Sequence, residues 1–384
     1  MALTTDPWHV DWMHARHHVL MRLAQYYRVV WMEPSKDWRT TLRQKKPTAP
    51  VFDRIDENPG LTVYRQEFLL PNFLRLNWLA RATLQTRVRR AVTYLRDQGC
   101  QQFVAYLWNP RFGTALDAIK WDLSCYHIDD EYTFSTVDVP NSPEEVAVLS
   151  RVSQVFIHSD MLMEKKGRIN ANSMRIPNGV NYSWFATPVE EPVDLAMIPH
   201  PRIGYVGFLK RQLNWELLRA LPVRHPEWSF VFVGDVVEHP EIVPILKEMA
   251  TRKNVFFLGW KPARIAAHYP QHFDVCTMPY AMNDYTKYIY PLKLHEYLAT
   301  GRPIVSMPLP SVKPFINYLS VAESENEWST ALCAALSPEQ SQPVLQEARK
   351  AVAKEHDWDH LVGRIAKCIE GRLDSNPQKI RASK

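Results

Sequence analysis

Two residues of opposite charge, Lys293 and Glu296, give this chain its clearest chemical signal. They stand three apart in the run Tyr290-Pro291-Leu292-Lys293-Leu294-His295-Glu296-Tyr297-Leu298-Ala299-Thr300-Gly301-Arg302-Pro303. The pattern predicts one helix, with Pro291 at its first helical position and Gly301 just past its end, then a strand over Ile304–Met307. A cation in the first turn opposes the positive end of the helix dipole, where acidic side chains are normally favoured. An anion docked on the free N–H groups of that turn would remove the conflict. Glu296 then lies about 4.5 Å further along the axis on nearly the same face. From there it can accept hydrogen bonds from two neighbouring hydroxyls of a group about one sugar ring away. A nucleoside diphosphate fits this pair; a solvated Lys–Glu pair on a surface helix has the same spacing.

A second signal is Ile203-Gly204-Tyr205-Val206-Gly207-Phe208-Leu209-Lys210-Arg211, a strand ending in glycine and followed by two cations. Gly207 lets a ligand or a backbone come close, and Lys210 or Arg211 can reach a phosphate. A bland turn with solvated charges reads equally well. No GxGxxG occurs, and 12 glycines are too few for a dinucleotide or Walker loop. In the first half, Cys125-Tyr126-His127-Ile128-Asp129-Asp130-Glu131-Tyr132 follows an expected strand, and titratable groups at a strand's carboxyl end face the ligand crevice of an α/β domain. There His127 can move a proton near neutral pH, with Asp129 or Asp130 orienting it or binding a sugar hydroxyl. A His–Asp pair capping the next element is the structural alternative. The histidine-rich run Asp11-Trp12-Met13-His14-Ala15-Arg16-His17-His18 offers Arg16 and His17 to an acceptor. His14 and His18 have metal-ligand spacing but no acidic partner, so no metal is expected.

These groups need elements to hold them. Short apolar runs, among them Tyr27–Met32, Gln102–Trp108, Leu123–Ile128, Ile203–Val206, Ser229–Val233 and Val275–Met278, alternate with helical patterns such as His17–Gln25 and Thr83–Gln98. That alternation predicts parallel sheets covered on both faces. With 384 residues the chain is long enough for two domains. The proline-rich, aperiodic stretch 184–202 reads as the linker. Residues 1–183 then form one doubly wound domain and 203–357 a second, with ligand between them at the strands' carboxyl ends.

Composition narrows the class. A net charge of +5 with 23% charged residues gives no basic half and no expectation of nucleic acid. Five widely spaced cysteines without a CxxC pair indicate reduced thiols and no zinc site. No apolar stretch approaches the ~18–20 residues that span a bilayer, and the first residues lack a signal-peptide pattern. Thirteen tryptophans suit sugar rings as well as cores. The segment 68–96 holds six arginines and no acid, interleaved with Phe68, Leu69, Leu70, Phe73, Leu74, Leu76, Trp78 and Leu79. It reads either as a peripheral contact with an anionic membrane or as an amphipathic helix packed on the first sheet.

Taken in order, His158-Ser159-Asp160-Met161-Leu162, Ile176-Pro177-Asn178-Gly179-Val180-Asn181, Gly204–Gly207, Trp228–Gly234, Val255–Gly259, Phe273–Val275, Met278–Tyr280 and the Pro291–Pro303 run resemble retaining GT-B glycosyltransferases of the family 4, teichuronic-acid type. The resemblance covers about residues 120–310. It implies an α/β, GT-B fold: two Rossmann-like domains facing across a cleft, with the terminal helix 358–373 crossing back to the first. It implies that the carboxyl-terminal domain binds a nucleoside-diphosphate sugar and that a saccharide or lipid-linked acceptor sits on the amino-terminal domain. Glu296 matches the glutamate on the ribose hydroxyls. Lys293 and the backbone of Tyr290–Leu292 match the diphosphate region, and Gly207, Lys210 and Arg211 adjoin it. Of the catalytic candidates, Lys293 comes from this match, and His127 and Asp129 from the first-half strand end. Retaining transfer without metal or cofactor follows from the family route, in a cytoplasmic or peripheral membrane enzyme of cell-surface polysaccharide or glycolipid synthesis. A GT-B epimerase or phosphorylase, or a degenerate subunit binding a partner glycosyltransferase, are the other readings. Three positions depart from the family: Tyr288 stands where a second carboxylate is expected, with Asn283, Asp284 or Tyr285 as substitutes. Phe208 replaces an arginine. The first strand is either shortened to Ala2–Thr5 or starts upstream.

Overall fold

The computed structural model describes residues 1–8, 13–43, 51–72, 76–132 and 140–375. Strands β1 (Ala2–Leu3), β2 (Val29–Met32), β3 (Phe52–Ile55), β4 (Asn58–Tyr64), β5 (Val104–Leu107), β6 (Leu123–Ile128), β7 (Gln154–Ile157) and β8 (Ser173–Arg175) form one sheet, ordered β3-β4-β2-β1-β5-β6-β7-β8. Strands β9 (Arg202–Val206), β10 (Ser229–Val233), β11 (Val255–Phe257), β12 (Val275–Met278), β13 (Ile304–Ser306) and β14 (Ser320–Val321) form the other, ordered β11-β10-β9-β12-β13-β14. Every pairing is parallel except β3 with β4. All six residues of β6 and all five of β10 are buried, which is why these strands read as continuous apolar runs. Ala2–Leu3 pairs with both β2 and β5, so this two-residue strand is a central one.

The β3–β4 hairpin is absent from the sequence expectations. Its residues Asn58-Pro59-Gly60 carry turn chemistry, yet they lie in β4, where a Cβ on Gly60 would strike the Ala24 carbonyl. The stretch 184–202 also differs from an open linker. A short helix Tyr182–Ala186 runs into its start and another, Val193–Ala196, lies within it, and Phe185, Leu195 and Ile198 are buried in the core of the second domain. The Trp358–Asp374 helix packs on the Ala15–Leu23 helix of the first domain through Trp358, Leu361, Val362 and Ile365. At the crossing, Val180 N donates to His356 O (3.0 Å) and Trp358 N donates to Val180 O (3.0 Å). A side chain on Gly179 would run into that turn.

Arg81, Arg87, Arg89 and Arg90 of the segment 68–96 are held by the protein. Arg87 is buried and donates to Glu33 O (2.9 Å) and Ser35 Oγ (2.6 Å), its guanidinium 4.8 Å from the Tyr64 ring centre. Arg90 pairs with Glu67, Arg81 with Asp117, and Arg89 donates to Ala118 O. The Asn77–Asp97 helix is thus a packed element of the first sheet; Phe73, Leu74 and Arg75 lie outside the described residues. Among the described residues, no helix is long and apolar enough to cross a membrane.

Behind β6, a fully buried lysine organises the loop that carries the acidic candidates. Lys166 Nζ donates to both Glu145 oxygens (2.9 Å each) and to Glu131 Oε1 (3.2 Å), and Tyr126 Oη donates to Glu145 (2.9 Å). Removing one member of such a network leaves buried charge without compensation, a loss of about 3–5 kcal/mol. Lys166→Ala is therefore expected to lower the urea midpoint of unfolding by that equivalent. A midpoint equal to that of the wild type would show that the network adds nothing.

Candidate active site

The cleft is floored by glycine. Gly207 follows β9 at φ 139° and Gly234 follows β10 at φ 144°, conformations that side chains rarely adopt. Their amides donate to Val233 O (2.8 Å) and Gly259 O (2.9 Å). A Cβ on Gly207 would collide with the Lys293 ammonium, and one on Gly234 with the Gly207 carbonyl. Three strand ends can therefore close up beneath one helix start. Gly234 was not among the expected site residues, although the same strand–glycine ending in Ser229–Gly234 marks it.

The helix itself spans Leu292–Thr300, with Pro291 as its N-cap and not its first helical residue, because ψ of 133° keeps Pro291 extended. Gly301 closes it in the left-handed region. The first domain steadies its start: Asn178 Nδ2 donates to Tyr290 O (2.7 Å). The Tyr290 hydroxyl meets His295 Nε2 at 2.8 Å.

Lys293 and Glu296 both line the cleft. The Lys293 ammonium sits 5.1 Å from the Tyr205 ring centre, a cation–π contact. Burial pushes its pKa down to about 8, offset in part by Glu296, and burial pushes the Glu296 carboxyl up. Among the described residues neither side chain has a hydrogen-bonding or ion-pair partner. Lys210 joins them on the cleft wall, its charge disfavoured by burial and supported by Asp130. Tyr290 and Leu292 also line it, whereas Arg211 is exposed and is not part of the lining. Met13 and His14 face these groups from the first domain, and Trp260 and Tyr280 from the second. The cavity is about 300 Å³. A larger one of about 750 Å³ lies at the opposite rim, against Met1, Phe103 and Val104. It lacks convergent charges at strand carboxyl ends, so the smaller cleft is the candidate site.

The first-domain candidates separate into two groups. His127 is no proton shuttle: it is buried, stacked on Trp108 at 4.2 Å, and bonded through Nδ1 to the Tyr106 hydroxyl (2.8 Å). Burial pulls its pKa down to about 3, so it stays neutral. His17 is likewise core, 4.7 Å from the Trp31 ring centre, its Nδ1 accepting from His14 N. Asp129 is tied to Arg16 (3.1 Å) and accepts from the Tyr132 hydroxyl (3.0 Å). Burial works against its charge, but Arg16 holds it below the usual carboxylate range. Arg16 also pairs with Asp6 at 2.9 Å, so Arg16 and Asp129 are engaged with each other and with first-domain neighbours. Asp130 reaches across the domains: the Tyr285 hydroxyl donates to its two oxygens at 3.0 and 3.1 Å. Burial, with Asp129 beside it, raises Asp130 to about 6.

Tyr288, where the resemblance expected a carboxylate, is buried against the first domain with the Lys165 and Lys287 ammoniums 4.8 and 5.1 Å from its ring centre. Its expected substitutes are engaged locally. Asn283 accepts from Tyr285 N and Thr286 N, Asp284 pairs with Lys287, and Tyr285 holds Asp130.

Two parallel α/β domains facing across a cleft, with a glycine floor and a cation-bearing helix start, constitute a GT-B fold. Residues 200–338 match the family described as "Glycosyl transferases group 1". Over 236 residues the chain is 27% identical to TuaH of Bacillus subtilis, assigned by name to teichuronic acid biosynthesis as a glycosyltransferase; the match spans 58% of either protein, a little over half of the relative's length. In three dimensions it is similar to sucrose-phosphate synthase of Thermosynechococcus elongatus (TM-score 0.74, 16% identity, 97% of this chain and 98% of that one). It is also similar to HepE of Anabaena, solved with UDP (TM-score 0.69, 16% identity, 96% and 99%).

Lys293 attracts an anion only while protonated. With a pKa of about 8 in the empty cleft, affinity for a nucleoside diphosphate is expected to fall roughly tenfold from pH 7 to pH 9. Lys293→Met should flatten that dependence. An equally steep profile in the variant would remove Lys293 from the anion site.

Proposed function

We propose that this protein is a glycosyltransferase that moves a sugar from a nucleoside-diphosphate donor, UDP-linked by preference, to a hydroxyl of a saccharide or lipid-linked acceptor. The carrying observation is the Lys293–Glu296 pair, which lines the cleft above two glycines, neither side chain having a hydrogen-bonding or ion-pair partner among the described residues. The group 1 domain over residues 200–338 and the UDP held by the similar HepE structure support the reading. In it, the diphosphate lies at Lys293, Lys210 and the amides after Pro291, and Glu296 accepts from the ribose hydroxyls.

Transfer is taken to retain configuration. The acceptor oxygen bonds to the anomeric carbon on the face from which the donor oxygen leaves. The electron pair of the breaking bond passes to the diphosphate, and an oxygen of that leaving group takes the acceptor proton. The protein then supplies charge stabilisation and orientation, with no nucleophile and no metal. The neutral state of His127 and the pairing of Asp129 agree with a route that needs no base from that strand end. Met13 and His14 face the donor groups from the acceptor side. The cellular setting we infer is the cytoplasmic side of cell-surface polysaccharide or glycolipid synthesis. Tyr288 favours one other reading, a subunit that binds donor without transferring it.

Calorimetry with UDP and GDP tests the proposal, followed by turnover on donor sugars with lipid-linked acceptors. UDP binding is expected, weakened on the order of 10–150-fold in Glu296→Ala by loss of charge-assisted hydrogen bonds. If neither nucleotide binds, the proposal fails. Binding without any transfer would favour the subunit reading.

A further inference from the structure

We infer that the segment 283–292 is a strap that holds the second domain on the first by protein contacts alone, and that it gates the cleft by setting the start of the Lys293–Glu296 helix. Tyr285, Tyr288, Tyr290 and Leu292 each meet the first domain. The Tyr285 hydroxyl donates to both Asp130 oxygens, at 3.0 and 3.1 Å. Tyr288 belongs to the buried cluster that holds Ile128, Ile157 and Leu162 of the first domain. Its ring centre is 4.8 Å from the Lys165 ammonium, which in turn pairs with Glu131 at 3.2 Å. Asn178 Nδ2 donates to Tyr290 O (2.7 Å), and Leu292 packs on the cluster that contains Ile176 and Trp358.

The segment is built to keep this pose. Asn283 Oδ1 accepts from Tyr285 N and Thr286 N (3.0 and 2.9 Å), and Asn283 N donates to Thr286 Oγ1 (2.9 Å). Thr286 is fully buried and donates through Oγ1 to Ala281 O (2.6 Å). Ala281 N donates to Gln212 O (2.8 Å) in the second domain. The turn is therefore rooted in one domain and docked on the other. Relative motion is the default for two domains of one chain. A buried ring and a charge-assisted hydrogen bond within one short segment oppose it.

Placement gives the strap a use. It ends at Leu292, one residue ahead of Lys293 and four ahead of Glu296. Undocking it frees the helix start that sets both side chains. The cleft it closes measures about 300 Å³, the lower end of the roughly 300–1,000 Å³ of ligand sites. A nucleoside diphosphate then enters when Tyr285 leaves Asp130, and redocking places Lys293 and Glu296 beside it. Asp130 is in this sense a positioning residue that acts through Tyr285. The gate rests on the donor-site reading above, whereas the strap rests on contacts within the protein.

Amide hydrogen exchange of the full chain tests the strap, and stopped-flow binding of UDP tests the gate. Without nucleotide, the amides of Tyr285, Thr286, Tyr288 and Ile289 are expected to be protected. Tyr285→Phe removes one hydroxyl and keeps the ring. It should speed their exchange at least about tenfold, the effect of losing a hydrogen bond to a charged group. Asp130→Ala should do the same, and the double variant should exceed either by no more than about twofold, because both remove one contact. In Tyr285→Phe the association and release rates of UDP should rise by a similar factor, leaving Kd changed less than either. Loss of a merely structural support would raise the release rate alone. The inference is overturned by free exchange of the segment in the wild type, by wild-type exchange in Tyr285→Phe, by full additivity of the two substitutions, or by faster release alone. A protected segment that Tyr285→Phe releases, in a protein that does not bind UDP, would keep the strap and refute the donor-site reading.

Discussion

Everything at the cleft depends on an ammonium group placed where a helix least favours it. Lys293 stands in the first turn of its helix, lowered by burial and supported by a tyrosine face and a carboxylate that burial also disfavours. Left alone, the site keeps a cation at a positive dipole end. The surrounding structure maintains this arrangement: Gly207 leaves room for the ammonium, and Gly234 leaves room for Gly207. Asn178 reaches from the other domain to fix the turn before the helix. A bound anion relieves the helix end and the lysine together, because it offsets positive potential at both.

Charge in the rest of the protein is treated in the opposite way. Lys166 is buried more completely than Lys293, yet it is surrounded by Glu131 and Glu145 and needs no ligand. Arg87 is held by carbonyls and a tyrosine ring, and Arg349 by the carbonyls of Gly301, Tyr318 and Gln340. Satisfied burial is structural; unsatisfied burial at the rim of a sheet is where chemistry can be done. By that standard Lys293, Glu296 and Lys210 differ in kind from His127 and Asp129, though all five are titratable and follow or adjoin strand ends.

The second-domain wall of the cleft was legible because its signals are local. A glycine after an apolar run and a lysine just past a proline can be recognised without knowing what lies opposite. The first-domain wall was less legible because its signals are relational. His127 has the residue type of a proton carrier, but strand position alone does not say that Trp108 would lie flat on it. His14 and His17 sit in one short run, yet one lines the cleft and the other fills the core. The hairpin β3–β4 was hidden by Pro59 and Gly60, since its geometry answers to the Ala24 carbonyl and not to local propensity. The arginine-rich segment 68–96 stayed open to two readings for a similar reason: composition does not show which tertiary partners divide its arginines among separate duties.

The paired crossing at Val180 and His356–Trp358 has a mechanical consequence. The two connections hydrogen-bond to each other at one point, so any turning of one domain against the other would centre there. The Trp358–Asp374 helix is fastened to the Ala15–Leu23 helix and belongs with the first domain. Rotation at the crossing would carry Met13 and His14, just ahead of the Ala15–Leu23 helix, toward or away from the opposite wall of the cleft.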